Sequence, residues 1–256
     1  MRVSRRQFLQ VCGGALGSLA LPLPLKGAVR SVPVLLYHDI SNQFRDPYTI
    51  TPSLFAAQME WLYGSGYRVL SVTDALSGNT LQPGEKTVVI TFDDGYASFI
   101  DYAYPLLQSY GFGATIAVIG ERVGSFIDQG GNRPVMGWDE YRHIVSSGGI
   151  EIACHSFGFH SYKRVRSLST AELAADLRHF QETAAREIGT PAKVLAWPYG
   201  IYEKQWIPVA HRAGFDSLLT SIEGIYTDGS PRSEIPRLAI NDKLDLVSFQ
   251  QYVGGS

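Results

Sequence analysis

Asp93 and Asp94 stand side by side, directly after the apolar run TVVITF and before Gly95. Adjacent carboxylates behind a buried strand repel each other unless something gives them different roles, and a cation beside one of them does so. Alone, Asp-Asp-Gly is also what a tight turn looks like. Further along, CHSFGFH places His155 and His160 five positions apart with Gly158 between them. Positions i and i+5 point to opposite faces of a strand and sit well apart around a helix. For the two imidazoles to meet, the chain must fold back between them, and Gly158 is the residue expected to allow it. Two His and one Asp make a donor set for a borderline metal. Three protein ligands leave positions open for water and substrate, as catalytic rather than structural sites do. The second Asp is then free to act as a base on an attacking water, and a histidine from another strand could supply the acid. That equipment hydrolyses an amide or ester without a covalent intermediate. A serine nucleophile has little support, because no G-x-S-x-G is present.

The elements that must position these residues are legible as apolar runs. VLLY (34–37), TVVITF (87–92), ATIAVIG (114–120), IEIAC (150–154), KVLAW (193–197), SLLTS (217–221) and PRLAI (236–240) read as strands, with RVLSV near 68 a weaker member. Most are continuous rather than alternating, as expected for strands covered on both faces. Helical patterns fall between them. Thr51-Pro52 is a cap and first-turn pair before a stripe of Phe55, Met59, Leu62 and Tyr63. Ile100, Tyr104 and Leu107 form another stripe, and a further helix is expected near 203–213. Ser169 to Glu172 is a capping box opening a helix that Gly189 and Pro191 end. This alternation predicts a single α/β domain over 31–256, an irregular (β/α) barrel of about seven parallel strands, with an open doubly wound sheet as the alternative. In such a barrel, function sits where strands end. His38-Asp39, Asp93-Asp94-Gly95, His155 and Trp197-Pro198-Tyr199-Gly200 each follow an apolar run, so four strands deliver polar or aromatic residues at one end. His143, His179 and His211 lie among ordinary polar neighbours on predicted helices and read as surface residues.

The chain is 45% hydrophobic with a net charge of −2, which gives no sign of nucleic acid or an anionic membrane as partner. Residues 1–30 read as a leader instead of fold: MRVSRRQFLQ precedes the apolar run VCGGALGSLALPLPL, and Ser4 to Leu9 resembles a twin-arginine export signal. The expectation is a periplasmic or secreted protein with association to export machinery, or one held by a retained anchor. Cys12 lies in the leader, leaving Cys154 without a disulfide partner and expected as a buried strand residue.

TFDDG (91–95), His155-Ser156 with His160, and Trp197-Pro198-Tyr199-Gly200, in that order, resemble the motifs of the polysaccharide deacetylases (NodB-homology fold, carbohydrate esterase family 4). The likeness runs from about Pro33 to about Ile240. Three departures mark a branch. The family's H-[ST]-x-x-H is one residue longer here. Ala196-Trp197 stand where an arginine usually precedes the Pro-Tyr. The L-x-H expected near the C-terminus occurs at the front, as Leu36-Tyr37-His38. These resemble the circularly permuted branch that includes poly-β-1,6-N-acetylglucosamine deacetylases. The resemblance implies Asp94, His155 and His160 as metal ligands, for zinc first and nickel, cobalt or iron(II) next. It further implies Asp93 as general base, His38 as general acid and the Tyr199 backbone N–H toward the oxyanion. Trp197, Pro198 and Tyr199, with Trp138, are the expected sugar-pocket walls. The absent arginine leaves Asp93 without an assigned partner. The implied activity is metal-dependent N-deacetylation of N-acetylglucosamine units in an extracellular polysaccharide, by a chain expected to be monomeric. Peptidoglycan or chitooligosaccharide deacetylation, and a catalytically silent polysaccharide-binding protein, are the alternatives.

Overall fold

The computed structural model describes residues 30–77 and 84–254. Residues 1–29, which hold the arginine pair and Cys12 of the expected leader, lie outside the described residues. Eight parallel strands form the main sheet: β1 Val34–Tyr37, β2 Arg68–Leu70, β3 Thr87–Phe92, β4 Ala114–Val118, β5 Ile150–Cys154, β6 Val194–Ala196, β7 Ser217–Leu219 and β8 Leu238–Ala239. Seven of them follow the order β7-β6-β5-β4-β3-β1-β8, while β2 pairs only with the first half of β3. That wedge makes the barrel irregular. The sheet curls until Ile235, just before β8, bridges Leu219 of β7, while β8 itself pairs with β1. The segment 235–239 therefore spans the seam.

Parity along each strand separates two apolar layers. Val34, Val89, Ala117, Ala153, Val194, Ala196, Leu219 and Ile235 form the interior cluster. Small side chains fit there because the curled sheet leaves little room. The alternate residues, among them Tyr37, Phe92, Ile116, Cys154, Leu195 and Trp197, pack outward under the helices. Cys154 is a free buried thiol, as the apolar run suggested.

The helices start and stop where their caps stand. Pro52–Gly64 begins on the Thr51 hydroxyl, which accepts from Leu54 N–H, and buries Phe55, Met59 and Leu62. Tyr63, expected on that stripe, is instead 59% exposed and stacks on Tyr110. Its position, one residue past Leu62, turns it off the buried face. Thr170–Ile188 carries the Ser169/Glu172 capping box and ends on left-handed Gly189. An antiparallel hairpin without a clear sequence signal pairs Phe126–Asp128 with Asn132–Pro134, turning through Gly130 and Gly131. No helix among the described residues is long and apolar enough to cross a membrane.

Candidate active site

Counting by twos along the interior face carries Leu36 to His38, Val89 through Thr91 to Asp93, and Ala153 to His155. All three end at the same rim. The strand order sets Asp93 between His38, on neighbouring β1, and His155, two strands away. Asp93 N–H continues the ladder to Tyr37 O at 2.9 Å, and His155 N–H does the same to Val118 O at 2.8 Å. The site thus hangs on the last rungs of the sheet.

Asp93 is buried, and its two carboxylate oxygens each accept from Arg237, Oδ1 from Nη1 and Oδ2 from Nη2, both at 2.8 Å. Arg237 Nε donates to Thr220 O at 2.8 Å, and Nη1 also reaches Thr91 Oγ1 at 3.2 Å. This bidentate pair supplies the orienting arginine absent before Pro198-Tyr199. It comes from the seam segment, where PRLAI carried a charged residue inside an apolar run. That was the available signal. Burial alone would raise the Asp93 carboxyl, but the charges of Arg237 and then His155 overcome it and hold the group well below the usual carboxylate range.

Asp94 leaves the strand with φ 72° and Gly95 follows with φ 76°. Two left-handed residues in succession turn the chain off the strand, at a backbone cost that Asp bears better than most side chains. Both carboxylates stay close to His155 Nε2, which lies 3.8 Å from Asp93 Oδ2 and 3.6 Å from Asp94 Oδ1. A Cβ at Gly95 would lie 2.2 Å from the Tyr141 hydroxyl, so only glycine fits. Asp94 Oδ1 comes to 3.4 Å from His160 Nε2 and 3.6 Å from His155 Nε2. The imidazoles do meet, with centroids 4.7 Å apart.

Gly158, however, is not among the residues with positive φ; Ser156, at φ 74°, makes the turn between the histidines. What Gly158 provides is room, since a Cβ there would sit 3.1 Å from Glu121 Oε2.

The donor set fits a divalent cation. His155 Nδ1 lies 2.8 Å from Ala196 O, a group that only accepts, so Nδ1 carries the proton and Nε2 turns a lone pair toward Asp94. Burial lowers both imidazoles from 6.5 to about 4, keeping them neutral and able to ligate. Asp94 Oδ1 is buried with no hydrogen-bond partner. The three candidate ligand atoms all lie within 4.8 Å of one another. Lone pairs converging on an unpaired carboxylate oxygen are what a bound cation would relieve.

These groups floor an open cleft of about 830 Å³. His38 lines it, half-buried and edge-on to Tyr48 at 5.0 Å. Tyr199, at φ 58°, lies over His160 with ring centroids 4.8 Å apart. Exposed Tyr48, Tyr162, Tyr199 and Phe126 stand around the rim. Three expected walls are elsewhere. Trp197 is fully buried, stacked on Tyr202, because it follows inward-facing Ala196 and so faces the helices. Pro198 is buried beside it, and Trp138 packs on Tyr141; neither lines the cleft. The hairpin missed in the sequence supplies Phe126 and Asp128 to the wall instead. Of the other histidines, His143, His179 and His211 are exposed, as expected.

The family model for polysaccharide deacetylases matches residues 80–218, more than half of the chain. The chain belongs to the polysaccharide deacetylase family. Its chemistry is hydrolysis of an amide bond. Poly-β-1,6-N-acetyl-D-glucosamine N-deacetylases are among the relatives at 25% identity. That of Escherichia coli (strain K12) matches over 91% of this chain and 39% of its own length, and that of Staphylococcus aureus (strain MSSA476) over 81% and 73%. The chain therefore spans well under half of the E. coli relative. A de-N-acetylase from Aggregatibacter actinomycetemcomitans superposes with a TM-score of 0.75 at 22% identity, covering 87% of this deacetylase and all of that chain. At that identity the likeness speaks for the fold. Both the curled parallel sheet and the single α/β domain read from the sequence agree with it.

Proposed function

We propose that this deacetylase is a metal-dependent enzyme acting on N-acetylglucosamine units of an extracellular polysaccharide, with poly-β-1,6-N-acetylglucosamine as the favoured polymer. One observation carries the reading: the Arg237-fixed Asp93 carboxylate lies beside the unpaired Asp94/His155/His160 donor set, with His38 one strand away. Asp94, His155 and His160 would hold the metal. When bound it supplies Lewis acidity toward the acetamide carbonyl and a lowered pKa for water, with zinc the first candidate and nickel, cobalt or iron(II) next. Asp93, ionised throughout the working range, takes a proton from the attacking water. Arg237 keeps it fixed and charged, which lowers its basicity in exchange for orientation. The Tyr199 N–H serves the developing oxyanion. Protonated His38 gives its proton to the departing nitrogen, and acetate and a free amine leave. The four exposed rim aromatics support a polymer over a free monosaccharide, because sugar faces stack on such rings in an open cleft. The names of the poly-β-1,6-N-acetyl-D-glucosamine relatives favour that linkage. Export through the twin-arginine-like leader to the periplasm or beyond, with or without a retained anchor, belongs to the same proposal, as does action as a monomer.

The test is acetate release from β-1,6-linked, β-1,4-linked and peptidoglycan oligomers by the metal-loaded protein, with and without chelator. Release restricted to the β-1,6 series and abolished by chelator is expected. No release with any metal would favour a polysaccharide-binding protein on the same scaffold. Asp93→Asn should lower turnover by about 10²–10⁴-fold while metal content stays near wild type, whereas His160→Ala should lose the metal as well.

A further inference from the structure

The loop between the two histidines is held from two sides. On one side, Gly120 N–H donates to Ser156 O at 3.1 Å and Glu121 N–H to Phe157 O at 2.8 Å, extending the end of β4. On the other, Asp176 of the Thr170–Ile188 helix accepts from Phe157 N–H on Oδ2 and from Gly158 N–H on Oδ1, each at 2.7 Å. A single carboxylate thus receives two successive backbone donors, and such charge-assisted bonds are the strong kind. The Phe157 ring lies flat on His179, one turn further along the same helix, with centroids 3.8 Å apart. It also fills the space over Gly120, where a Cβ would come within 2.4 Å of the ring. Ser156, Phe157 and Gly158 are therefore pinned through four backbone groups and one ring. That arrangement accommodates the residue by which this loop exceeds the usual histidine spacing.

The two histidines differ in what else fixes them. His155 sits on the sheet ladder and is bonded to Ala196 O. His160 follows the loop and has no strand beneath it. We propose that Asp176 is a positioning residue for the metal centre: by clamping Phe157 and Gly158 it sets His160 against Asp94 before any metal arrives. This rests on the metal-dependent reading above. Removing the clamp makes metal binding order the loop itself, so affinity falls, while the centre once filled has the same ligands and works at nearly the same rate. Partners of this outer kind change metal affinity by about 10–100-fold.

The experiment is competition between the protein and a fluorescent chelator for Zn²⁺, run on wild type and Asp176→Asn, with kcat measured at saturating metal and melting of the metal-free forms recorded beside it. Asn offers one acceptor where Asp offers two, so one N–H loses its partner. The expected result is a Kd for Zn²⁺ raised about 10–100-fold with kcat at saturation near wild type. A lowered melting temperature with unchanged Kd would make Asp176 merely structural and overturn the proposal. If wild type itself bound no Zn²⁺, the metal reading would fall first. A wild-type measurement covers an Asn variant that does not fold: hydrogen exchange at the Phe157 and Gly158 amides of the metal-free protein. Protection there is expected, and free exchange would show that nothing is set in advance.

Discussion

Two arginines are buried among the described residues, each against carboxylates near the cleft, and they are satisfied very differently. Arg237 crosses the barrel seam and grips Asp93 with both Nη groups, while its Nε finds Thr220 O. Arg133, on the hairpin, donates to Asp39 Oδ2 at 3.1 Å, to Thr49 Oγ1 at 2.9 Å and to Asp46. Its Nε is left without a partner, and its guanidinium lies 4.0 Å over the Phe44 ring. Asp39 follows His38 and is held on its other oxygen by Ser98 at 2.6 Å. One arginine therefore fixes the proposed base, Asp93, from within the sheet. The other ties the chain after the candidate acid to the hairpin that walls the cleft. A base must point within a fraction of an ångström, so its partner is bidentate, with each guanidinium nitrogen bonded. A wall has only to stay in place, and there stacking and an imperfect network suffice.

The largest effect expected from breaking this contrast is at Arg237. Arg237→Met leaves Asp93 buried and unpaired, which should cost about 3–5 kcal/mol of stability and lower kcat by on the order of 10²-fold or more. Pairing it with Asp93→Asn removes the stranded charge and should restore part of the stability but no activity. Denaturant titration beside turnover separates the two. Recovered activity in the double variant would unseat Asp93 as base.

Next in size is acid sensitivity. His155 and His160 are neutral in the native protein because burial brings them from 6.5 to about 4. In the unfolded chain they take up protons once pH falls through 6.5, so the unfolded state binds more protons and stability drops with falling pH. Above that value their contribution is constant; between 6.5 and 4 it declines. Asp93, held low, adds its own loss only below its unfolded value of 3.8. The denaturation midpoint of chelator-treated protein should therefore fall between about pH 7 and pH 5, and His155→Ala should flatten that slope.

Arg133→Met comes third. Asp46 is partly exposed and can rehydrate, but Asp39 stays buried, so about 1–3 kcal/mol is expected. Because the hairpin carries Phe126 and Asp128, KM for long oligomers should rise more than kcat falls. A kcat-only defect would place Arg133 with the acid and not with the wall. The smallest change is Phe126→Ala, which removes one rim ring. It should cost about 1 kcal/mol of binding to a long oligomer and leave hydrolysis of a small chromogenic acetyl substrate unaltered.

Much of the site was legible because its residues lie at strand ends. Apolar runs located the strands, and period-two parity then brought His38, Asp93 and His155 to one rim. The same parity, applied one residue further, would have turned Trp197 away from the cleft; its aromatic character alone suggested a wall. Arg237 was hidden for a different reason. Its partner is 144 positions away, and a charge in an apolar run has no visible counterpart until the seam closes. Asp176 and Arg133 share that difficulty, one on a helix surface and one in a hairpin with a weak strand pattern.

The sequence by itself determined the strand–helix alternation, the caps of its main helices and the five residues that converge at the site. Those properties are local, set by side-chain type, spacing and backbone preference. Only the tertiary structure decided what holds them: Arg237 on Asp93, Asp176 under the histidine loop, and left-handed Ser156 in place of Gly158 at its turn. Each depends on a contact between segments far apart in the chain, and such contacts form only when the curled sheet brings those segments together.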